Sequence, residues 1–273
     1  MKYKINNFLI KLFHRKLRMP KLFVYNSIII INKIAFSKLN KLFYYLPRNN
    51  ESKQCDHGYI IFKDVDNDAL RGVIDTCNSI FEDKISNHSH VDFQNNPRKS
   101  FLLTIDSDYD LLSSPKIKSF VESEFVINNV SSILQAPFLI NSARLWWSPA
   151  NTSEVSSQLY HFDEEDLTQV KLFINITKVT ESSGPFTFLS KEDSIKVSRN
   201  FRNGKRRFTD QDIYTFIGED KAIQLTGNPG SGAFVDTSNC MHYGSRNNES
   251  DRLVLMMQFL RKQAPLITQS IRV

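Results

Sequence analysis

The sequence predicts a mainly β protein with flanking helices, an antiparallel sandwich or jelly roll, and three observations point there. From Pro137 onward the chain breaks into short β-rich runs separated by turns: "VKLFINITKV", "GPFTFL", "KAIQLTG", "GSGAFVDT" and "DRLVLMMQFL". No long helices alternate with these runs, which argues against a doubly wound parallel sheet. Ahead of them lie the helical stretches, "NDALRGVIDTCNSIFEDKI" and then "DYDLLSSPKIKSFVESEFVINNVSSIL".

In chain order, residues 1–50 form a basic arm. It holds 11 Lys and Arg and no Asp or Glu, leaving 24 basic against 29 acidic side chains in the other 223 residues. The net charge of +6 therefore belongs to the arm, and residues 51–273 are acidic on balance. Ile5, Phe8, Leu9, Leu12 and Phe13 fall at helical spacing, which predicts a basic amphipathic helix interrupted at Pro20. The uncharged run Leu22–Asn32 is shorter than the roughly 18 apolar residues that span a bilayer, and no cleavage-like small-residue site follows it. Residues 1–47 are thus expected to pack as helices or to make a peripheral membrane contact, at the inner membrane surface if the chain is cytoplasmic. Nucleic acid is not an expected partner, because the acidic main domain would repel a phosphate backbone.

The polar stretch "PRNNESKQCDHG" marks the boundary between arm and domain. "GYIIFKDV" reads as the first strand, and the next helix is capped by Asn67 or Asp68. Residues 86–100 read as loop. Three cysteines at irregular spacing, Cys55, Cys77 and Cys240, form no disulfide framework or zinc-binding pattern, so a reducing, cytoplasmic compartment is expected.

The chemistry concentrates in "QLYHFDEED", Gln158 to Asp166. On a strand, residues two apart share a face, so His161 and Asp163 point together. His242 follows about 80 residues later, and Arg252 opens another apolar strand ten residues beyond it. Two imidazoles and one carboxylate on one face of a metal leave three adjacent positions open. An iron(II) centre needs that if it must bind a chelating co-substrate and then dioxygen, O2. A dianionic chelator would need a fixed cationic fork for its far carboxylate, and a planar, permanently charged arginine suits that role. Ser250 would share the face of Arg252 if the strand has already begun. Glu164, Glu165 and Asp166 read as a solvated turn, His88 and His90 as exposed loop residues, and His14 and His57 as parts of the arm and the first turn.

From about Asp56 to Leu260 the chain resembles the phytanoyl-CoA dioxygenase family of iron(II)/2-oxoglutarate oxygenases. "DHGYIIFKDV" is similar to the family's opening Gly-Tyr strand and "QLYHFDEED" to its His-x-Asp motif. "VKLFINITKVTESSGPFTFLS" is similar to the strand and Gly-Pro hairpin that follow, and "GSGAFVDTSNCMHYGSRNNESDR" to the distal His-x-Gly and Arg segment. The resemblance implies a double-stranded β-helix, a cupin-like jelly roll, with His161, Asp163 and His242 binding Fe(II). It implies that Arg252 binds the distal carboxylate of 2-oxoglutarate with help from Ser250; Gln158 and Lys171 are the candidates for its inner carboxylate. The expected activity is hydroxylation of a small-molecule or carrier- or lipid-linked metabolite, with release of succinate and CO2. Asp163 leaves no free halide position, which argues against halogenation. Trp146 and Arg246 are the candidates for contact with substrate. Desaturation, ring formation and epimerisation at the same centre remain open, as does a jelly roll that has lost turnover and serves as a binding or scaffolding module.

Overall fold

The computed structural model of the chain describes residues 53–63, 68–87, 101–106, 108–201 and 206–261. The basic arm, His14, His88, His90 and the helix-cap position Asn67 lie outside these residues.

Six strands form one antiparallel sheet in the order β1-β7-β4-β9-β3-β2. They are β1 (Tyr59–Phe62), β2 (Leu103–Thr104), β3 (Phe138–Ser148), β4 (Gln169–Asn175), β7 (Gly232–Asp236) and β9 (Arg252–Arg261). A smaller antiparallel sheet, β6-β5-β8, comprises β5 (Thr187–Phe188), β6 (Ile223–Gln224) and β8 (His242–Tyr243). The small sheet lies across the inner face of the large one, sharing an apolar cluster with it, while the outer face is covered by helices. This is the expected jelly roll.

Strand alternation decides what each face carries. In β9, Leu253, Leu255, Met257 and Phe259 face outward, against Val73 and Cys77 of α1 (Asp68–Asn87), Ile117 and Phe120 of α2 (Pro115–Val121) and Val126 and Val130 of α3 (Glu124–Leu134). The intervening Val254 and Met256 face inward and pack with Phe173, Phe186 and Phe188. A strand buried on both faces must be apolar almost throughout, as "LVLMM" is. The register then extends the inner face by pairing: Phe173 stands opposite Met256, Lys171 opposite Gln258, and Asn175 opposite Val254.

Local signals set the helix ends. Ser123 caps α3 by accepting from the Val126 N–H, and Gln135 ends it in the left-handed region at φ 48°, where its own N–H reaches the Ser131 carbonyl. Two short helices, α4 (Lys191–Ser198) and α5 (Asp210–Tyr214), fall where the sequence offered only polar, turn-like text. Among the described residues no helix is long and apolar enough to cross a membrane.

Gly232 of β7 pairs with Phe62 of β1 on one side and Ile174 of β4 on the other. A Cβ there would stand 2.3 Å from the Phe62 ring and 2.4 Å from the Phe173 carbonyl oxygen, and that oxygen belongs to backbone that cannot step aside. Gly232→Ala is expected to destabilise the domain by about 1–3 kcal/mol, the usual cost of overpacking a core, read as a lower urea midpoint with an unchanged slope.

Candidate metal centre

His161 and His242 face one another across a two-residue β-bridge. Each donates its main-chain N–H to the other's carbonyl, at 2.9 and 3.0 Å, which holds the two rings on one face with centroids 4.4 Å apart. The Nδ1 of His161 lies 2.9 Å from the Leu159 carbonyl, and that of His242 lies 3.0 Å from the Cys240 carbonyl. A carbonyl only accepts, so both rings carry their proton on Nδ1 and present the Nε2 lone pair to the interior. Asp163 is held by its N–H on the Thr237 carbonyl at 2.9 Å. Its Oδ1 is 3.9 Å from His161 Nε2, and its Oδ2 is 3.5 Å from His242 Nε2. One ligand atom from each of the three residues falls within 4.8 Å of the others. Donors about 2.1 Å from one ion sit roughly 3 Å apart when adjacent, so small side-chain movements would close the set around a cation.

Electrostatics favours the ligating forms. Burial, with the neighbouring His242 adding to it, pushes the His161 pKa down to about 3, and burial likewise lowers His242. The rings are only 6% and 4% exposed and stay neutral. Burial opposes ionisation of Asp163, but its charged and hydrogen-bonding neighbours, among them the Lys171 ammonium with Nζ 2.7 Å from Oδ2, outweigh it and hold the carboxyl well below the usual carboxylate range.

Arg252 opens β9 opposite Ser148 and is 5% exposed. Its Nε is buried with no hydrogen-bond partner among the described residues, and burial lowers the guanidinium pKa to about 10. A buried cation with an unanswered donor is costly unless an anion completes it. It shares the inner face with Val254 and Met256, and Asn175, opposite Val254, adds a buried Oδ1 that also lacks a partner. Asn175 was legible only through the alternation of "KLFIN", which puts it on the face of Lys171 and Phe173.

The structure thus gathers His161, Asp163, His242 and Lys171, and places Arg252 on the same interior face. Trp146 is also on that face, half-buried and packed against the inner apolar cluster, whereas Trp147 points outward to Phe81. Other expected residues are engaged elsewhere. Gln158 is 0% exposed; its Nε2 donates to Asn151 and to the Ser245 carbonyl, and its Oε1 accepts from Ser153 and the Val155 N–H, so its amide braces a loop instead of facing the centre. Ser250 precedes the strand, which begins at Arg252, so the shared face is lost; its exposed hydroxyl meets that of Ser183 at 3.1 Å. Arg246 is not a solvated turn residue open to substrate. It is buried, its Nη2 donates to both carboxylate oxygens of Asp210 at 2.6 and 2.7 Å, and its guanidinium stacks 3.6 Å above the Tyr243 ring. Of the acidic run, Glu164 is exposed as expected, while Asp166 is buried against Arg261 at 2.6 Å. His57 is exposed in the first turn.

No protein-family model matches the chain, and no curated protein sequence does. Solved structures do match. EctD from S. alaskensis in its apoform superposes with a TM-score of 0.53 at 14% identity, over 76% of this chain and 74% of that one. The same protein with bound Fe gives 0.51 at 12% identity, over 76% and 73%. With 2-oxoglutarate and 5-hydroxyectoine it gives 0.50 at 13%, again over 76% and 73%. The shared feature is the fold.

Asp163→Ala is expected to weaken Co(II) binding by more than about 100-fold, the upper end of the loss caused by outer-shell substitutions, whereas Arg252→Ala leaves it unchanged. Titration of the Co(II) visible spectrum separates the two.

Proposed function

We propose that the chain is a non-haem Fe(II)- and 2-oxoglutarate-dependent oxygenase acting on a small-molecule or carrier- or lipid-linked metabolite. The observation that carries this is the pairing, on one buried face, of a neutral-His, ionised-Asp triad with an arginine whose Nε has no partner. The donor set fits: two nitrogens and one carboxylate oxygen suit iron(II) and leave open positions, and a dianionic 2-oxoacid would answer Arg252. When bound, iron and 2-oxoglutarate would supply the oxidising power toward a C–H bond with dioxygen as oxidant, giving succinate and CO2. The likeness to EctD, whose solved forms hold Fe and 2-oxoglutarate, supports this through the fold.

The chain's own residues divide the work. His161 and His242 offer Nε2, and their Nδ1 protons are tied to carbonyls. Lys171 keeps Asp163 ionised and limits its rotation. Arg252 would take a remote carboxylate bidentately. Phe173, Phe186 and Val254 pack in one apolar cluster, with Phe186 against the His242 ring, and exclude water there. Hydroxylation is the default outcome for this donor set.

Anaerobic addition of Fe(II) and then 2-oxoglutarate is expected to produce a weak visible charge-transfer band in the wild type and none in His161→Ala. Arg252→Ala is expected to raise the 2-oxoglutarate concentration needed by about tenfold or more, as for loss of a charge-assisted hydrogen bond. A wild type that binds iron tightly without the band would instead be a jelly-roll binding module.

The basic arm is proposed to bring the enzyme to an anionic membrane surface, on the strength of its 11 cations and amphipathic spacing. Deleting residues 1–47 is then expected to abolish co-sedimentation with phosphatidylserine-containing vesicles; equal sedimentation of both forms would refute it.

A further inference from the structure

The small sheet continues past His242. Phe188 stands opposite His242, His242 opposite His161, and Tyr160 opposite Phe208. Tyr160 and Phe208 exchange both main-chain hydrogen bonds, at 2.9 and 3.0 Å. In an antiparallel pairing the next pair along is residue 161 against residue 207, and directly opposed side chains share a face. Phe188, His242 and His161 face the interior, and alternation from Phe208, which is buried with Tyr160 on the opposite side, turns Arg207 toward the side of His161. Arg206, one residue away, faces outward and pairs with Glu164 at 3.5 Å. Among the described residues no carboxylate pairs with Arg207, and the residue is exposed.

We propose that Arg207 binds an anionic group of the substrate, a carboxylate or a phosphate, beside the His161 side of the metal centre. This rests on the oxygenase reading of the site. Charge balance agrees with it. Lys171, Arg207 and Arg252 face one carboxylate, Asp163, so adding a dication and a dianionic 2-oxoacid leaves two positive charges in excess. Counting Glu165, which accepts from Gln169 at the rim, still leaves one. An anionic substrate neutralises that excess where a cationic one would add to it. Arginine also suits the role chemically, because its planar fork matches both oxyanion groups.

The test uses the full-length chain, anaerobic, with Fe(II) and saturating 2-oxoglutarate. The visible chelate band is followed while benzoate, phenyl phosphate, neutral benzyl alcohol or cationic benzylamine is added. The anions are expected to perturb the band, and Arg207→Gln to weaken their effect by about tenfold or more. Arg207→Lys should retain part of it, and the outward-facing Arg206→Gln should match the wild type. Phenyl phosphate ahead of benzoate assigns a phosphate-bearing substrate; the reverse order assigns a carboxylate. The proposal is overturned if benzyl alcohol or benzylamine binds as well as the anions, if Arg207→Gln binds the anions unchanged, or if no anion perturbs the wild-type band. Absence of the band itself from the wild type overturns the oxygenase reading and this assignment together.

Discussion

Two main-chain hydrogen bonds between His161 and His242 organise everything that follows. The residues are far apart in sequence, and each bond is individually worth only about 1 kcal/mol net. Together they set a register in which both imidazoles project inward from one two-residue bridge. Each ring is then tied by Nδ1 to a carbonyl two residues earlier in its own segment. Tautomer and aim are fixed by backbone that the fold must form anyway, so the centre needs few dedicated side chains.

The interior around it carries more cationic than anionic groups, which is unusual for a buried space and expensive if left uncompensated. Lys171 offsets its cost on Asp163. Among the described residues Arg252 has no such partner, and Asn175 on the neighbouring strand has an unanswered oxygen. Where charges serve architecture alone in this protein they are paired at close range, as in Arg246 with Asp210 and Arg261 with Asp166. The contrast sets Arg252, with its unanswered Nε, apart from the arginines that hold the fold.

Much of this was legible in the sequence because it depends on period and spacing. The two-residue step from His161 to Asp163 and the apolar run of β9 are local facts, and the antiparallel β core followed from the short runs and turns. The misread residues share a different property: their partners are distant. Arg246 looked solvated because Asp210 is 36 residues away and lies in a helix too short to show periodicity. Gln158 looked available because Ser245, which takes one of its amide hydrogens, is 87 residues away. Ser250 depended on the strand having already begun two residues before Arg252, whereas β9 opens at Arg252. Arg207 sits in "RNGKRRF", which reads as a solvated charge run, and only the cross-strand pairing of Phe208 gives it a direction.

Strand β9 has one further consequence. Its odd-numbered residues, Leu253 to Phe259, answer to the helices, while its even-numbered residues, Arg252 to Gln258, answer to the inner face that carries the candidate metal centre. Because the strand is buried on both sides, neither set has solvent as a tolerant neighbour, yet the two sets have almost no neighbours in common. Substitutions on one side are compensated mainly among the neighbours on that side. A lineage could therefore rebuild its helical cover wholesale while the inner face stayed fixed, or retune the inner face under an unchanged cover. Low overall identity between chains of this architecture is then the expected outcome of two separate histories written on alternate residues of one strand.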